Sequence, residues 1–225
     1  MKPIAFLLFM LLNSIAFGQN FYFSLASGIN FPLVISTKNP DYVILKSENK
    51  KQTYMPSIGV GYKLNNFLSI KSGLAYEERG FYGKTFTLDI GNGATGGLTK
   101  TDFFYSFLTM PLVIEIKAGN RIQFFVNGGM NTSLRIGGAT KINDKNSISL
   151  AFIHPEDKSP TWDFSWTAGA GLRIKISDKL KLIGEGNYYK SFTPIGTREP
   201  IERVIFHNGY RISIGVEFYV NTIKK

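Results

Sequence analysis

Only two histidines, His154 and His207, stand among the 225 residues of the chain, and they bound its side-chain chemistry. His207 precedes Asn208 and follows Glu199 and Glu202, so a hydrolytic arrangement with Ser191 or Ser213 is compatible with the composition. Neither serine lies in the G-x-S-x-G turn that exposes a nucleophile. A triad is in any case defined by geometry and not by spacing. His154-Pro155-Glu156-Asp157 offers one imidazole and two carboxylates, which on a loop make a poor preorganised metal site. Gly91-Asn92-Gly93-Ala94-Thr95-Gly96 has the letters of a dinucleotide-binding turn. Such a turn needs a strand before it and a helix after it, and Gly97-Leu98-Thr99-Lys100 has no helical period. Asn131-Thr132-Ser133 fits a glycosylation acceptor but falls inside an expected strand. Cysteine is absent, which removes thiol chemistry, thiolate metal sites and disulfides. The expectation is a chain with no catalytic site, no cofactor and no metal.

Charged residues on otherwise small, polar strand faces are the stronger candidates. Glu115, Arg173, Glu185, Arg211 and Glu217 alternate with glycine and serine. Facing inward together, they either line a proton or ion path or pair to plug a narrow lumen. Burial favours pairing, because an unpaired internal charge costs several kcal/mol. Glu185 is expected near Arg211, and Glu115 near Arg173.

These residues are positioned by segments of about ten residues whose side chains alternate in character, the pattern of half-buried strands. Phe21, Phe23, Leu25 and Ile29 oppose Tyr22, Ser24, Ala26, Gly28 and Asn30. Phe164, Trp166, Ala168, Ala170, Leu172, Ile174 and Ile176 oppose Ser165, Thr167, Gly169, Gly171, Arg173 and Lys175. Tyr210, Ile212, Ile214, Val216 and Phe218 oppose Arg211, Ser213, Gly215, Glu217 and Tyr219. Eight such segments can be read. Phe125 and Ile183 break the polar faces of two of them. Pro111 cannot donate to a ladder and predicts a bulge or break in the fourth.

Asn65-Asn66, Ala118-Gly119-Asn120-Arg121 and Ser177-Asp178-Lys179 read as tight turns. Long polar connections near 31–53, 81–102, 135–161 and 192–207 alternate with them. Outer-membrane barrels have this alternation of short periplasmic turns and long extracellular loops. The sequence therefore predicts an all-β fold, an eight-stranded antiparallel transmembrane barrel with four long extracellular loops. A soluble barrel would alternate too, with its apolar face turned inward around a ligand. Tyr62, Phe67, Phe124 and Phe218 near the short turns, and Tyr76, Tyr105, Trp162, Trp166, Tyr188 and Tyr210 toward the long loops, resemble two aromatic girdles.

The N-terminus supports export. Lys2, the apolar stretch Ile4 to Leu12 and the small residues Ala16 and Gly18 read as a signal peptide over 1–18, leaving 19–225 as the barrel. A net charge of +10 on an exported chain points to anionic lipid headgroups and not to nucleic acid. The expected partners are outer-membrane lipids, with envelope proteins or extracellular ligands at the long loops.

Several stretches carry a family likeness. They are Ala16-Phe17-Gly18-Gln19, Leu108-Thr109-Met110-Pro111-Leu112, Phe125-Val126-Asn127-Gly128-Gly129, Phe164 to Ile174 with Gly169 and Gly171, and Ser213-Ile214-Gly215-Val216-Glu217-Phe218. Across its mature length the chain resembles the PorT-like outer-membrane β-barrel proteins of Bacteroidetes. The resemblance implies an outer-membrane location but no single activity, since the family is functionally diverse. Its last residue is Lys225, whereas a terminal aromatic is common in such barrels.

Overall fold

The computed structural model describes residues 20–36, 52–89, 95–143, 148–152, 161–194 and 205–220. The signal segment, His154 and Gly91 to Ala94 lie outside these residues. Nine strands form in chain order: β1 (Phe21–Ser36), β2 (Thr53–Lys63), β3 (Leu68–Asp89), β4 (Thr95–Gly119), β5 (Ile122–Asn143), β6 (Ile148–Phe152), β7 (Trp162–Lys175), β8 (Leu180–Ser191) and β9 (Ile205–Tyr219). Eight of them pair antiparallel with sequential neighbours and close where β1 meets β9, from Tyr22↔Tyr219 to Ser36↔Ile205. The short β6 pairs only with the end of β5, from Ala139 to Asn143. Closure leaves no barrel edge unpaired, the condition for backbone to stand in hydrocarbon.

Alternation decides which face is outside. Leu25, Ile58, Leu112, Phe124 and Ile214 are among the exposed large apolar residues, while Glu115, Arg173, Glu77 and Glu217 are fully buried. The apolar face is therefore the exterior and the charged face lines the lumen. Phe125 and Ile183, the two irregularities of the sequence pattern, are 3% and 6% exposed and keep the inward parity of their strands.

Lumen space is made by glycine. The Tyr22 ring lies where a Cβ on Gly61 would come within 2.1 Å of it, and the Phe125 ring stands within 2.4 Å of one on Gly171. Large inward rings thus lie over glycines of the neighbouring strand, which explains why one face mixes the smallest and largest residues.

Two of the expected long connections are largely strand. β3 and β4 remain paired from Phe81↔Phe103 to Asp89↔Thr95, and β4 and β5 from Tyr105↔Gly138 to Lys100↔Asn143. A transmembrane strand needs about 9–11 residues. At 22, 25 and 22 residues, β3, β4 and β5 extend as a ribbon well past the apolar band. The register shift of this ribbon falls at Ser106/Phe107, where β5 carries an extra residue. It does not fall at Pro111. There the β3–β4 ladder lapses between Ser72↔Leu112 and Ala75↔Thr109 without changing register, and the Ser72 hydroxyl donates to the Pro111 carbonyl at 2.9 Å.

The short turns are locally built. Asn65 Oδ1 accepts from the N–H groups of Phe67 and Leu68 at 2.9 and 2.7 Å, and Ser177 Oγ accepts from Lys179 and Leu180 at 3.3 and 3.1 Å. Gly119 turns with φ of +105°, and a Cβ there would lie 2.2 Å from the Ile122 carbonyl oxygen. Gly119→Ala is expected to destabilise the barrel by about 1–3 kcal/mol, read as a lower urea midpoint in lipid vesicles. An unchanged midpoint would show that this turn relaxes freely.

Candidate functional site

The lumen is filled in layers because inward residues from strands of matched register meet at equal heights. In the layer toward the short turns, β4 supplies Glu115, β7 supplies Arg173 and β9 supplies Glu217. Arg173 donates to both Glu115 oxygens at 2.9 and 2.8 Å and to Glu217 Oε1 at 2.8 Å. Its Nε lies 2.7 Å from Glu217 Oε2. The Tyr219 hydroxyl donates to Glu217 at 2.7 Å. Lys71 from β3 reaches Glu115, Glu185 and Glu217 at 3.5, 3.6 and 4.0 Å. The Phe125 ring lies under the cations, its centre 4.6 Å from the Arg173 guanidinium and 5.5 Å from the Lys71 ammonium. In a desolvated site this adds attraction to the packing.

A second layer stands toward the long-loop end. Glu77 accepts from Arg79 at 2.7 Å and from Arg211 at 2.8 and 3.0 Å, and Thr109 also donates to it. Arg79 pairs with Asp163, and Ser191 donates to the same carboxylate. Arg79 further donates to Ser133 at 2.7 Å. Both arginines lie against the Tyr189 ring, at 5.1 and 4.1 Å from its centre. Two arginines meet two carboxylates, so this layer is neutral.

Between the layers lies a cavity of about 110 Å³, bordered by Lys71, Thr109, Asn127, Asn131, Glu185 and Arg211 among others. Asn127 Oδ1, Asn131 Oδ1 and Glu185 Oε2 are buried there without hydrogen-bond partners. The chamber is large enough for water to reach these three polar atoms.

The structure brings Glu115 and Arg173 together, as the sequence predicts, and adds Glu217 to the pair. Glu185 and Arg211 are not joined. The β8–β9 register places Arg211 across from Asn187 and Glu185 across from Ser213, so Arg211 reaches Glu77 and Glu185 falls to Lys71. Sequence reading missed Arg79 and Asp163, although each continues its strand's alternation, two residues beyond Glu77 and two before Ser165.

His207 is fully buried. Its ring meets Tyr105 and Phe107 edge-on at 6.0 and 5.8 Å, so Tyr105 points into the lumen and is not part of the outer girdle. Neither imidazole nitrogen has a hydrogen-bond partner. Ser191 is engaged with Asp163, and Ser213 lies 3.5 Å from Glu185. No Ser–His–carboxylate arrangement is assembled around His207 among the described residues, and those residues contain no metal-ligand cluster.

The exterior carries its own order. Trp166 and Tyr188 meet edge-on at a centroid distance of 5.3 Å and Tyr188 and Tyr210 meet tilted at 5.1 Å toward the long-loop end, and Phe21 meets Tyr62 at 4.8 Å near the opposite rim. These are interfacial aromatics on an apolar exterior.

Three solved structures are similar to the chain over most of its length. Neisserial surface protein A is 11% identical, with a TM-score of 0.43 over 89% of this chain and 96% of that one. Ail, the attachment invasion locus protein of Yersinia pestis, is 13% identical, with a TM-score of 0.43 over 89% and 99%. The outer membrane protease OmpT from Escherichia coli is 7% identical, with a TM-score of 0.45 over 90% and 97%. No curated protein sequence matches the chain. A family model described as an outer membrane protein beta-barrel domain matches residues 14–196. The chain belongs to that family, and it is a protein of the outer membrane.

Proposed function

We propose that the protein is a structural or binding module of the cell envelope, with recognition carried by the segments at its long-loop end and no catalytic role. The observation that carries this reading is the lumen, filled at two levels by arginine–carboxylate networks. Among the described residues these two networks obstruct the lumen, whereas segments borne on a rigid barrel are free to vary and bind. The paired β3–β4–β5 ribbon is a stiff support for such segments. The orientation follows the usual rule, with short turns periplasmic and long connections extracellular. The partners of this reading are outer-membrane lipids along the barrel wall and envelope proteins or extracellular ligands at the loops. Within the family, the motifs around Pro111, Phe125 and Gly169 support a likeness to the PorT-like barrels of Bacteroidetes.

Purified protein reconstituted in planar bilayers is expected to give no stepwise conductance, and to hydrolyse neither lipid A nor peptides. An epitope inserted between residues 195 and 204 is expected to be reached by antibody on intact cells. Regular single-channel steps or turnover would overturn the module reading. An epitope reachable only after lysis would reverse the orientation.

A further inference from the structure

Below the lower ion network, at the mouth framed by the short turns, three lysines gather around two phenols. The Lys63 and Lys181 ammonium groups lie 3.9 and 4.5 Å from the centre of the same Tyr219 ring. Lys117 donates to the Ser69 hydroxyl at 2.5 Å, and Lys181 to the Gln123 side-chain oxygen at 3.0 Å. Lys117 and Lys181 are only 6% and 8% exposed. Lys181 is repelled by both of the other lysines. Among the described residues, none of the three has a carboxylate at ion-pair distance. Glu115 and Glu217, the nearest acids above them, are taken by Arg173 and Lys71. Tyr22 stacks on Tyr219 at 5.0 Å, with its hydroxyl buried beside Ser69.

Like charges held this close, two of them largely out of water and attracted only at a distance by Glu115 and Glu217, favour a further counter-charge. A mouth that only had to be filled would be met more cheaply by apolar or neutral side chains. The donors converge from β1, β2, β4 and β8, so a matching acceptor presents oxygens in several directions. A planar carboxylate, with both oxygens in one plane, meets fewer of them. Ammonium groups bind phosphate as adjustable point charges, and the Tyr22 hydroxyl adds a neutral donor. We propose that the short-turn mouth of the barrel, built from Lys63, Lys117, Lys181 and Tyr22, binds a phosphoryl anion. The same chemistry is offered by free phosphate and by the headgroup of an anionic phospholipid.

The full-length folded protein in a zwitterionic micelle at low ionic strength is titrated with inorganic phosphate and followed by phosphorus NMR. In a parallel arm, urea midpoints are compared in phosphatidylcholine vesicles with and without phosphatidylglycerol. Heat-dependent gel mobility confirms that each variant is folded. Saturable phosphate binding, weakened about tenfold or more in Lys117→Gln and in Lys181→Gln, supports the site with a free anion as ligand. A midpoint raised by phosphatidylglycerol in the wild type but not in these variants supports it with a lipid as the source. Lys63→Gln, at the half-buried end of β2, gives the same readouts if a more buried variant does not fold. Without any anion, Lys117→Met is expected to raise the urea midpoint, because it removes a buried charge that has no carboxylate at ion-pair distance. Absence of both phosphate binding and a phosphatidylglycerol response overturns the site, as does equal binding by the lysine variants.

Discussion

Arg173→Met is expected to lower the unfolding free energy of the barrel by about 3–5 kcal/mol, the range for breaking a buried ion pair from one side. The side chain is fully buried and holds two carboxylates, themselves fully buried, through three hydrogen bonds. Once it is gone, Lys71 is the only cation among the described residues left at ion-pair distance from Glu115 and Glu217, at 3.5 and 4.0 Å. Much of the loss is therefore desolvation of acids left behind, and not the worth of the bonds themselves. That distinction has a consequence. Combining Arg173→Met with Glu115→Gln and Glu217→Gln removes the stranded charge and should recover most of the stability, since a buried ion cluster and a neutral filling of similar volume often come out even. Urea titration in vesicles reads both, with Trp162 and Trp166 on the outer face as fluorescent reporters. A single variant within about 1 kcal/mol of wild type would mean that water already reaches this layer. A triple variant no more stable than the single one would mean that the network holds the strand positions as well as the charge balance.

How far the sequence showed this layer follows from what strand alternation contains. Period-two patterning assigns a face to every residue of a strand, so the inward set of Glu115, Arg173 and Glu217 could be read directly. It does not contain the stagger between strands. Glu185 and Arg211 share a face on adjacent strands, yet the pairing sets Glu185 opposite Ser213, and Arg211 turns instead to Glu77 across the lumen. Partner choice across a barrel depends on shear, a property of the whole closed sheet. Strand ends were hidden for a related reason. Arg79 and Asp163 lie where the apolar exterior gives way to loop composition, so the outward signal fades while the inward one continues. Extending the alternation by two residues in β3 and β7 would have recovered the upper network. Pro111 marks the local break that the sequence predicts, but not the register shift. A missing N–H interrupts one ladder locally, whereas a register shift needs an inserted residue, which β5 carries opposite Ser106 and Phe107. Phe125 looked like an error in the pattern because it was judged by polarity. In the lumen its ring serves as a floor for two cations, a role open to an apolar residue on a polar face.

Ile214→Arg is expected to cost about 2–4 kcal/mol, and Phe218→Arg on the same face of β9 only about 0–1 kcal/mol, because the penalty for a lipid-facing charge depends on depth. Ile214 is the more exposed of the two, at 73% against 50%, so burial in protein would rank the pair with Phe218 as the costlier change. Hydrocarbon reverses that order. Ile214 sits midway between Tyr210 toward the long loops and Phe218 near the short turns, opposite Ser27 on one side and Gly184 on the other. A Cβ at Gly184 would meet nothing within 4 Å, so no neighbouring side chain on that strand shields an arginine placed at position 214. Its guanidinium must reach an interface along its own stem or draw water inward, and either adjustment costs free energy. At position 218 the headgroup region is already within reach. Urea midpoints measured in vesicles, with heat-dependent gel mobility as the check on folding, compare the two variants directly. Costs near zero at both positions would mean that this face meets water and not lipid. A larger cost at Phe218 would move the centre of the bilayer toward the short turns, and with it the depth of the three-lysine mouth.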